Sequence, residues 1–293
     1  MKNQANTNEQ KSPYVSIIMP TYNRANLLPR AIESALNQTY KNFEFIIVDD
    51  ASPDNTEEVV RQYQKKDGRI IYLKNQSNSK IQITLNNGLR AAKGKYIARI
   101  DDDDAWMDAE KLKKQIEFLE NNPDYMIVGT GSAAIFKAKG IKIQSLKPRT
   151  DEEIRAAMLL GCPFLHPSVV YRRSAIQKVG MYDESLKQAD DYDLWMRMGK
   201  IGKMYNLPEY SIESIVGEFN VGHRKRAEIL KFSLALIKKY RHNYPNFYRG
   251  YFKNYLEYID ASLPILRKIF GPIFLFRRQV LDKFGKKMKI SKL

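Results

Sequence analysis

YIARIDDDD, at Tyr96-Ile97-Ala98-Arg99-Ile100-Asp101-Asp102-Asp103-Asp104, joins an apolar run to four consecutive carboxylates. The apolar run is typical of a buried strand, and residues 108–112 after it have the composition of a helix start. Like charges this close repel one another, so we expect them in a solvated loop or around a cation. In an open α/β sheet, ligands bind at the carboxyl ends of the strands. The cluster therefore predicts a divalent cation that holds a polyanion, most simply a nucleoside diphosphate.

Strands and helices alternate around this cluster. Short apolar runs predict strands at 15–19 (ended by Pro20), 43–48, 69–73 and 96–100. Helical periodicity predicts helices at 27–36, 55–63 and 83–92 between them. Such alternation with short links favours a mostly parallel sheet with helices on both faces. Beyond residue 121 the pattern is looser, with strands predicted at 126–131 and 168–171 and helices at 152–160 and 191–198.

Length and composition bound the class of protein. The 293 residues suffice for one large domain and an appendage. Cys162 is the one cysteine, which excludes an intramolecular disulfide and fits a reducing compartment. The polar residues 1–12 predict a disordered N-terminus without a secretory signal. The sequence contains no run of about 18 apolar residues, so no membrane span is predicted.

The formal net charge of +16 is concentrated near the carboxyl end. Residues 224–293 contain 18 Lys and Arg but only 4 Asp and Glu. We therefore expect a nearly neutral domain at 13–222 and a basic, all-helical, amphipathic region at 223–293.

A second acidic pair, Asp49-Asp50, also follows a predicted strand. If the two strands are neighbours, both acidic loops reach one crevice, where one serves the cation and phosphates and the other the ribose or base. The alternative is that aspartates at strand ends form turns and cap helices. No glycine-rich phosphate-binding loop is present, which disfavours a dinucleotide dehydrogenase and a P-loop nucleotidase and leaves phosphate binding to the metal.

Several ordered motifs together resemble the inverting family 2 glycosyltransferases. They are Ser16-Ile17-Ile18-Met19-Pro20-Thr21-Tyr22-Asn23-Arg24, Ala35-Leu36-Asn37-Gln38-Thr39-Tyr40, Ile47-Val48-Asp49-Asp50-Ala51-Ser52, the run from Ala92 to Asp104, and Ala189-Asp190-Asp191-Tyr192-Asp193-Leu194-Trp195. The resemblance covers about residues 15–207. It implies a GT-A fold, a nucleotide-sugar donor and a divalent cation, Mn²⁺ or Mg²⁺.

The resemblance also implies roles for individual residues. Donor binding falls to Pro20, Thr21, Tyr22, Arg24, Asp50, Lys80, Asp102 and Asp103. Asp103 and Asp101 match the metal-binding D-x-D motif, and the assignment within the acidic run is open by one residue. Asp191 matches the catalytic base. Asp190 stands where relatives usually have Glu, and together with His166 it would border the acceptor.

The chemistry expected of such a site is one in-line displacement that inverts the anomeric centre. A cation neutralises the departing diphosphate, and a carboxylate takes the proton of the attacking hydroxyl. Asp190 and Asp191, far along the chain, would place a carboxylate on the side of the anomeric carbon opposite the metal. The alternative for this cluster is helix capping by Asp191 or Asp193.

The basic carboxyl-terminal region has helical periodicity with apolar and aromatic residues on one side. Ile229, Phe232, Leu236, Ile237 and Tyr240 share a face, and tyrosines recur at 244, 248, 251, 255 and 258. Such helices are typical of in-plane membrane binding. Two alternatives are that the tyrosines pack on the catalytic body or, less favoured, that the region binds nucleic acid.

The sequence thus predicts a cytoplasmic enzyme that is peripheral on the inner face of a bacterial cell membrane. It would move a sugar, with UDP favoured as the nucleotide, to a hydroxyl of a glycan or lipid-linked acceptor in surface polysaccharide synthesis. The alternative from another class is a catalytically silent module that binds a nucleotide sugar or a glycan. A nucleotidyltransferase is disfavoured because its glycine-rich basic loop is missing.

Overall fold

The computed structural model describes residues 14–216, 226–262 and 288–292. The predicted disordered N-terminus at 1–12 and the predicted boundary at 222/223 lie outside these ranges.

Strands and helices alternate through the first half of the chain. The strands are β1 (Val15–Thr21), β2 (Phe43–Asp49), β3 (Ile70–Lys74), β4 (Tyr96–Arg99), β5 (Asp104–Trp106), β6 (Tyr125–Phe136), β7 (Ile141–Ser145), β8 (Val170–Arg172), β9 (Lys203–Ile215) and β10 (Met288–Lys292). The helices are α1 (Leu28–Leu36), α2 (Thr56–Lys66), α3 (Ile81–Ala91), α4 (Lys111–Asn121), α5 (Asp151–Met158), α6 (Arg173–Val179), α7 (Asp190–Gly199), α8 (Arg226–Lys239) and α9 (Phe247–Ser262). Short 3₁₀ turns occupy Lys137–Lys139 and His166–Ser168.

The strands in the described part of the chain form one mixed sheet. Its order is β10-β7-β6-β8-β4-β1-β2-β3, with β9 paired to β6 and to β5. Strands β4, β1, β2 and β3 are parallel, as predicted from the βαβ alternation. The added strands β8, β7 and β10 are antiparallel to their neighbours. The parallel part places the ends of β1, β2 and β4 at one edge of the sheet.

Both faces of the parallel part are covered, which explains its nearly continuous apolar strands. In β1, Ile17 and Met19 belong to one hydrophobic cluster and Ile18 belongs to the other. Helices α1 and α4 cover the first cluster, whereas α3 and α7 cover the second.

Strand β1 continues through Pro20, so the prediction that this proline ends it is wrong. In the β1–β4 register the last pair joins Ile18 to Arg99. By Pro20, β4 has ended, and the missing N–H of proline therefore costs no ladder hydrogen bond on that side.

The carboxyl-terminal region is helical in α8 and α9, as predicted, but its last described residues form β10. This strand pairs antiparallel with β7 at the sheet edge, from Met288 opposite Ser145 to Lys292 opposite Ile141. The prediction of an all-helical region therefore fails at its end.

Helix α8 packs its apolar face on the catalytic body. Leu236, Ile237 and Tyr240 are buried in the same cluster as Trp195 of α7. Tyr244 is also buried, and its hydroxyl donates to the Met196 carbonyl at 2.6 Å. The prediction that this face of α8 binds lipid is wrong, because protein covers it. The alternative, that the tyrosines of this region pack on the catalytic body, holds for Tyr244.

Gly94 precedes β4 where two backbones meet. A Cβ at this position would lie 2.6 Å from the Ser16 nitrogen and 2.7 Å from the Val15 carbonyl carbon. Gly94→Ala should therefore lower the free energy of unfolding by about 1–3 kcal/mol, since backbone must shift. Gly68→Ala is the matched control, because nothing lies within 4 Å of its added Cβ. Thermal unfolding of both variants measures the difference, and equal melting temperatures would contradict the close approach.

Candidate active site

The acidic loops leave the sheet at a common edge. Strand β1 lies between β2 and β4, with Thr21 opposite Asp49 and Ile18 opposite Arg99. The two acidic loops are therefore separated by one strand rather than adjacent. Both still open at the carboxyl edge of the parallel strands, where ligands bind in such sheets.

The pair Asp49-Asp50 divides into two structural roles. The Asp49 carboxylate is buried and accepts hydrogen bonds from Ser52 and from the Tyr72 hydroxyl at 2.6 Å, so it forms the turn after β2. The Asp50 carboxylate accepts from the Asn75 amide at 2.7 Å and from the Ser79 backbone nitrogen at 2.9 Å. Asp50 therefore orders the loop that leads into α3 at the site edge.

The four consecutive aspartates separate into distinct environments. Asp101 accepts from the Arg99 guanidinium at 2.6 Å. Asp102 and Asp103 both pair with Arg24, at 2.8 and 2.7 Å. Asp104 lies within β5 opposite Ser214, and burial raises its pKa to about 8. Arginines thus hold the first three carboxylates at the loop, while the fourth belongs to the sheet.

A cavity of about 430 Å³ brings together the acidic run that follows β4 and the acidic pair of α7. Its lining includes Asp101 and Arg99 from the end of β4, His166, and Asp190 and Asp191 from the first turn of α7. Asp190 also accepts from the Gln82 amide of α3 at 3.0 Å. Asp50, Asp103 and Tyr22 lie outside this lining. The structure therefore joins the acidic loop after β4 to the distant acidic pair, as the sequence predicted for a two-sided site.

Burial and neighbouring charges set the proton affinity of the cavity carboxylates. Burial, followed by the charge of Asp190, raises the pKa of Asp191 to about 7. Burial acts the same way on Asp101, but the Arg99 guanidinium outweighs it and holds the Asp101 pKa below its usual value. One carboxylate is therefore kept ionised while another can exchange a proton near neutrality.

His166 is a neutral wall of this cavity. Burial, together with the Arg99 charge, lowers its pKa to about 3. Its Nε2 lies 2.8 Å from the Tyr182 hydroxyl, and its ring packs edge-on against Trp195. His166 can offer a hydrogen bond here but no charge.

Helix α7 is clamped from two directions through Asp193. Arg197 of the same helix donates to its carboxylate at 2.7 Å. Lys239 and Tyr240 at the end of α8 donate to it at 3.0 and 2.8 Å. Asp193 is therefore an anchor rather than a helix cap, and the sequence pattern did not indicate that Lys239 would contact it.

Residues with left-handed backbone border the site in four separate segments. They are Asn23, Ala51, Lys80 and Ala189, with φ angles of 55°, 61°, 85° and 61°. Such conformations cost energy for non-glycine residues and concentrate at functional sites. Ala189 directly precedes the acidic pair of α7, and Lys80 precedes Ile81, which lines the cavity.

The predicted donor-binding residues occupy the adjoining strand ends. Pro20 and Thr21 are buried at the end of β1, whereas the side chains of Tyr22 and Lys80 are exposed. Arg24 is half-buried between Asp102 and Asp103. The structure thus brings these residues to one edge without joining all of them in a single cavity.

The oxygen donors at this edge fit a hard divalent cation. Mg²⁺ and similar ions are commonly held by one or two carboxylates together with substrate phosphates. Asp101 and Asp103 supply carboxylates of this kind. Across residues 14–216, 226–262 and 288–292, no three acidic, His or Cys side chains form a complete metal cage. With two carboxylates, the remaining coordination positions of such an ion would have to come from a diphosphate or water.

Sequence comparison identifies the family. Residues 16–180 match the profile of Glycosyl transferase family 2. A Bacillus subtilis protein named as the glycosyltransferase EpsE is 38% identical over 201 residues, which cover 67% of this chain and 71% of that protein. An uncharacterized glycosyltransferase of Rickettsia prowazekii is 35% identical, with 69% of this chain and 64% of that protein covered. The chain belongs to glycosyl transferase family 2 and is a glycosyltransferase.

Solved structures confirm the GT-A fold. The mannosyltransferase PcManGT from Pyrobaculum calidifontis, in complex with GDP-Man and Mn²⁺, has a TM-score of 0.67 at 18% identity. This match covers 94% of the present chain and 81% of PcManGT. TarS 1–349 of S. aureus in complex with UDP-GlcNAc has a TM-score of 0.60 at 19% identity, covering 87% and 74% of the two chains.

Proposed function

We propose that this glycosyltransferase is metal-dependent and inverting. It would transfer a sugar from a nucleoside diphosphate sugar, with UDP favoured, to a hydroxyl of a glycan or lipid-linked acceptor. The observation that carries the proposal is the meeting of Asp101 and Asp191 in one cavity, although 90 residue positions separate them in the chain. Metal-side and base-side carboxylates on one cavity are what a single displacement requires.

Asp191 would act as the base. As the acceptor oxygen bonds to the anomeric carbon, the bond from that carbon to the diphosphate breaks and its electron pair leaves with the diphosphate. The hydroxyl proton passes to the Asp191 carboxylate. Because attack and departure occur on opposite sides, the anomeric configuration inverts.

Asp101 and Asp103 would hold Mn²⁺ or Mg²⁺, which when bound neutralises charge on the diphosphate. Arg24 orients the acidic loop through Asp102 and Asp103. Asp50, with Pro20, Thr21 and Tyr22, would contact the nucleoside, Asp102 the ribose and Lys80 the donor. Asp190 and His166 would border the acceptor.

A surface polysaccharide acceptor is supported by one relative, and a nucleotide-sugar donor by two solved structures. TuaG of Bacillus subtilis, named for teichuronic acid biosynthesis, is 40% identical over 107 residues, which cover 36% of this chain and 42% of TuaG. TarS binds UDP-GlcNAc, whereas PcManGT binds GDP-Man.

Asp191→Asn should lower turnover by about 10²- to 10⁴-fold, because a positioned proton acceptor contributes about that much. Nucleotide binding should persist, since the change preserves size. The measurements are nucleotide release from a panel of UDP and GDP sugars with Mn²⁺, and thermal stabilisation by UDP or GDP. Asp124→Asn, an exposed surface carboxylate paired with Lys203, is the control.

Near-normal turnover by Asp191→Asn would contradict its role as the base. Donor binding by the wild-type protein without any turnover would instead support the alternative of a silent binding module.

The pH dependence of kcat/KM should have an acid limb near pH 7. The base must be ionised, so activity is present above the Asp191 pKa and falls about tenfold per pH unit below it. The charges acting on Asp191 are Asp190 on its own helix, Asp101 and Lys147. Asp190→Asn removes a negative charge and should move the midpoint to lower pH. A midpoint that does not move would show that another group sets the limb.

We propose that the protein is cytoplasmic and binds the anionic inner face of the cell membrane through α9. The first support is an exposed aromatic pair one turn apart, Tyr248 at 85% and Phe252 at 61% exposure. Arg249 lies between them, within a region carrying 18 basic and 4 acidic residues. Aromatic and basic side chains together favour an interfacial location, each cation adding about 1 kcal/mol. In the part of the chain that the structure describes, no helix is long and apolar enough to cross a bilayer.

Tyr248→Ser combined with Phe252→Ser should weaken vesicle binding at least about tenfold, since one buried aromatic contributes about 1.5–3 kcal/mol. Flotation with phosphatidylglycerol-containing vesicles measures the bound fraction. Ile201→Ser, a partly exposed apolar residue outside α9, is the control. Unchanged flotation of the double variant would contradict membrane binding through this face.

A further inference from the structure

Three cavity-lining residues come from the two carboxyl-terminal helices. The match ends at residue 180, whereas Ile229 and Ser233 of α8 and Asn254 of α9 line the cavity that contains Asp191. The carboxyl-terminal helices therefore form a wall of the candidate active site.

This wall is fixed to the catalytic body. Besides the bonds from α8 to Asp193, the Lys253 ammonium donates to the Leu160 carbonyl at 2.9 Å. Gly250 approaches the Leu159 carbonyl so closely that a Cβ would lie 2.0 Å from its oxygen. Helix α9 can come this near only because residue 250 has no side chain. The wall is thus held by specific contacts at both helices.

The wall presents hydrogen-bonding atoms to the cavity. Ser233 and Asn254 are 7% and 6% exposed. The Asn254 amide nitrogen donates to the Gly250 carbonyl at 2.9 Å. Among the described residues, no hydrogen bond reaches the Ser233 hydroxyl or the Asn254 carbonyl oxygen. Because both residues line the cavity, these two oxygens are available to a bound molecule.

The carboxylates of the cavity disfavour an acceptor that carries a negative charge of its own. Asp101, Asp190 and Asp191 line it, and the Arg99 guanidinium is already paired with Asp101. Ile81 and Ile229 add apolar surface suited to the C–H faces of a sugar ring. A volume of about 430 Å³ is in the range of small-molecule sites.

We propose that α8 and α9 form the acceptor subsite, where an uncharged terminal sugar lies against Ile229 and bonds to Ser233 and Asn254. The acceptor hydroxyl then faces Asp191 across the cavity. This inference rests on the transferase function proposed above, and it assigns acceptor selection to the part of the chain outside the family match.

The test is acceptor-stimulated nucleotide release. Methyl glycosides of neutral hexoses and methyl glucuronide are added to the full-length protein with Mn²⁺ and a UDP or GDP sugar. The neutral glycosides should stimulate release at least about tenfold more than the glucuronide. Ser233→Leu, which fills the cavity, should raise KM for the glycoside at least about tenfold while changing nucleotide affinity less than about twofold.

Ala235→Leu is the matched control, because it makes the same side chain at an exposed position of the same helix. It should leave both constants unchanged. Ser233→Ala, which removes only the hydroxyl, keeps the test valid if the larger variant does not fold, and should raise KM about threefold or more. Equal KM values for all variants, preference for the glucuronide, or nucleotide binding without stimulation by any glycoside would overturn the acceptor wall. Absence of nucleotide binding by the wild type would instead contradict the proposed function.

Discussion

The site depends on how the protein holds several carboxylates together in a partly dry cavity. Arg99, 1% exposed at the end of β4, places a guanidinium against Asp101. Arg24 does the same for Asp102 and Asp103. The negative charge of the α7 pair is not matched in this way, and their pKa values are raised instead. The guanidinium beside Asp101 and the raised proton affinity of Asp190 and Asp191 both reduce the repulsion among the carboxylates. The acidic cavity is therefore compatible with a folded chain.

The parallel half of the sheet could be predicted because its strands are buried on both faces and end in charged turns. The strands that sequence reasoning missed lack this contrast. β9 contains Pro208 and Glu209 within its 13 residues, and β7 is half-buried throughout. β10 is short and basic, and pairing with β7 is what makes it a strand. These strands depend on partners distant in sequence, which local composition does not indicate.

The candidate site was predictable where a motif carried it and not where packing did. The sequence motifs alone identify Asp101, Asp190 and Asp191. They do not identify the wall from α8 and α9, because an apolar helical face looks the same whether lipid or protein covers it. The available signal was the polar pair Ser233 and Asn254, which lies on the buried sides of these helices. A hydroxyl and an amide on such faces indicate a polar ligand or partner more than lipid.

The clamp on Asp193 makes the carboxyl-terminal helices part of the unit that folds. The family match covers residues 16–180, yet Asp193 lies beyond it and takes two of its donors, Lys239 and Tyr240, from still further along the chain. A fragment ending before α8 would leave a buried carboxylate with Arg197 alone and bare the apolar surface around Trp195. If relatives exchanged their carboxyl-terminal helices during evolution, Asp193 would have to change together with the residues that contact it from α8.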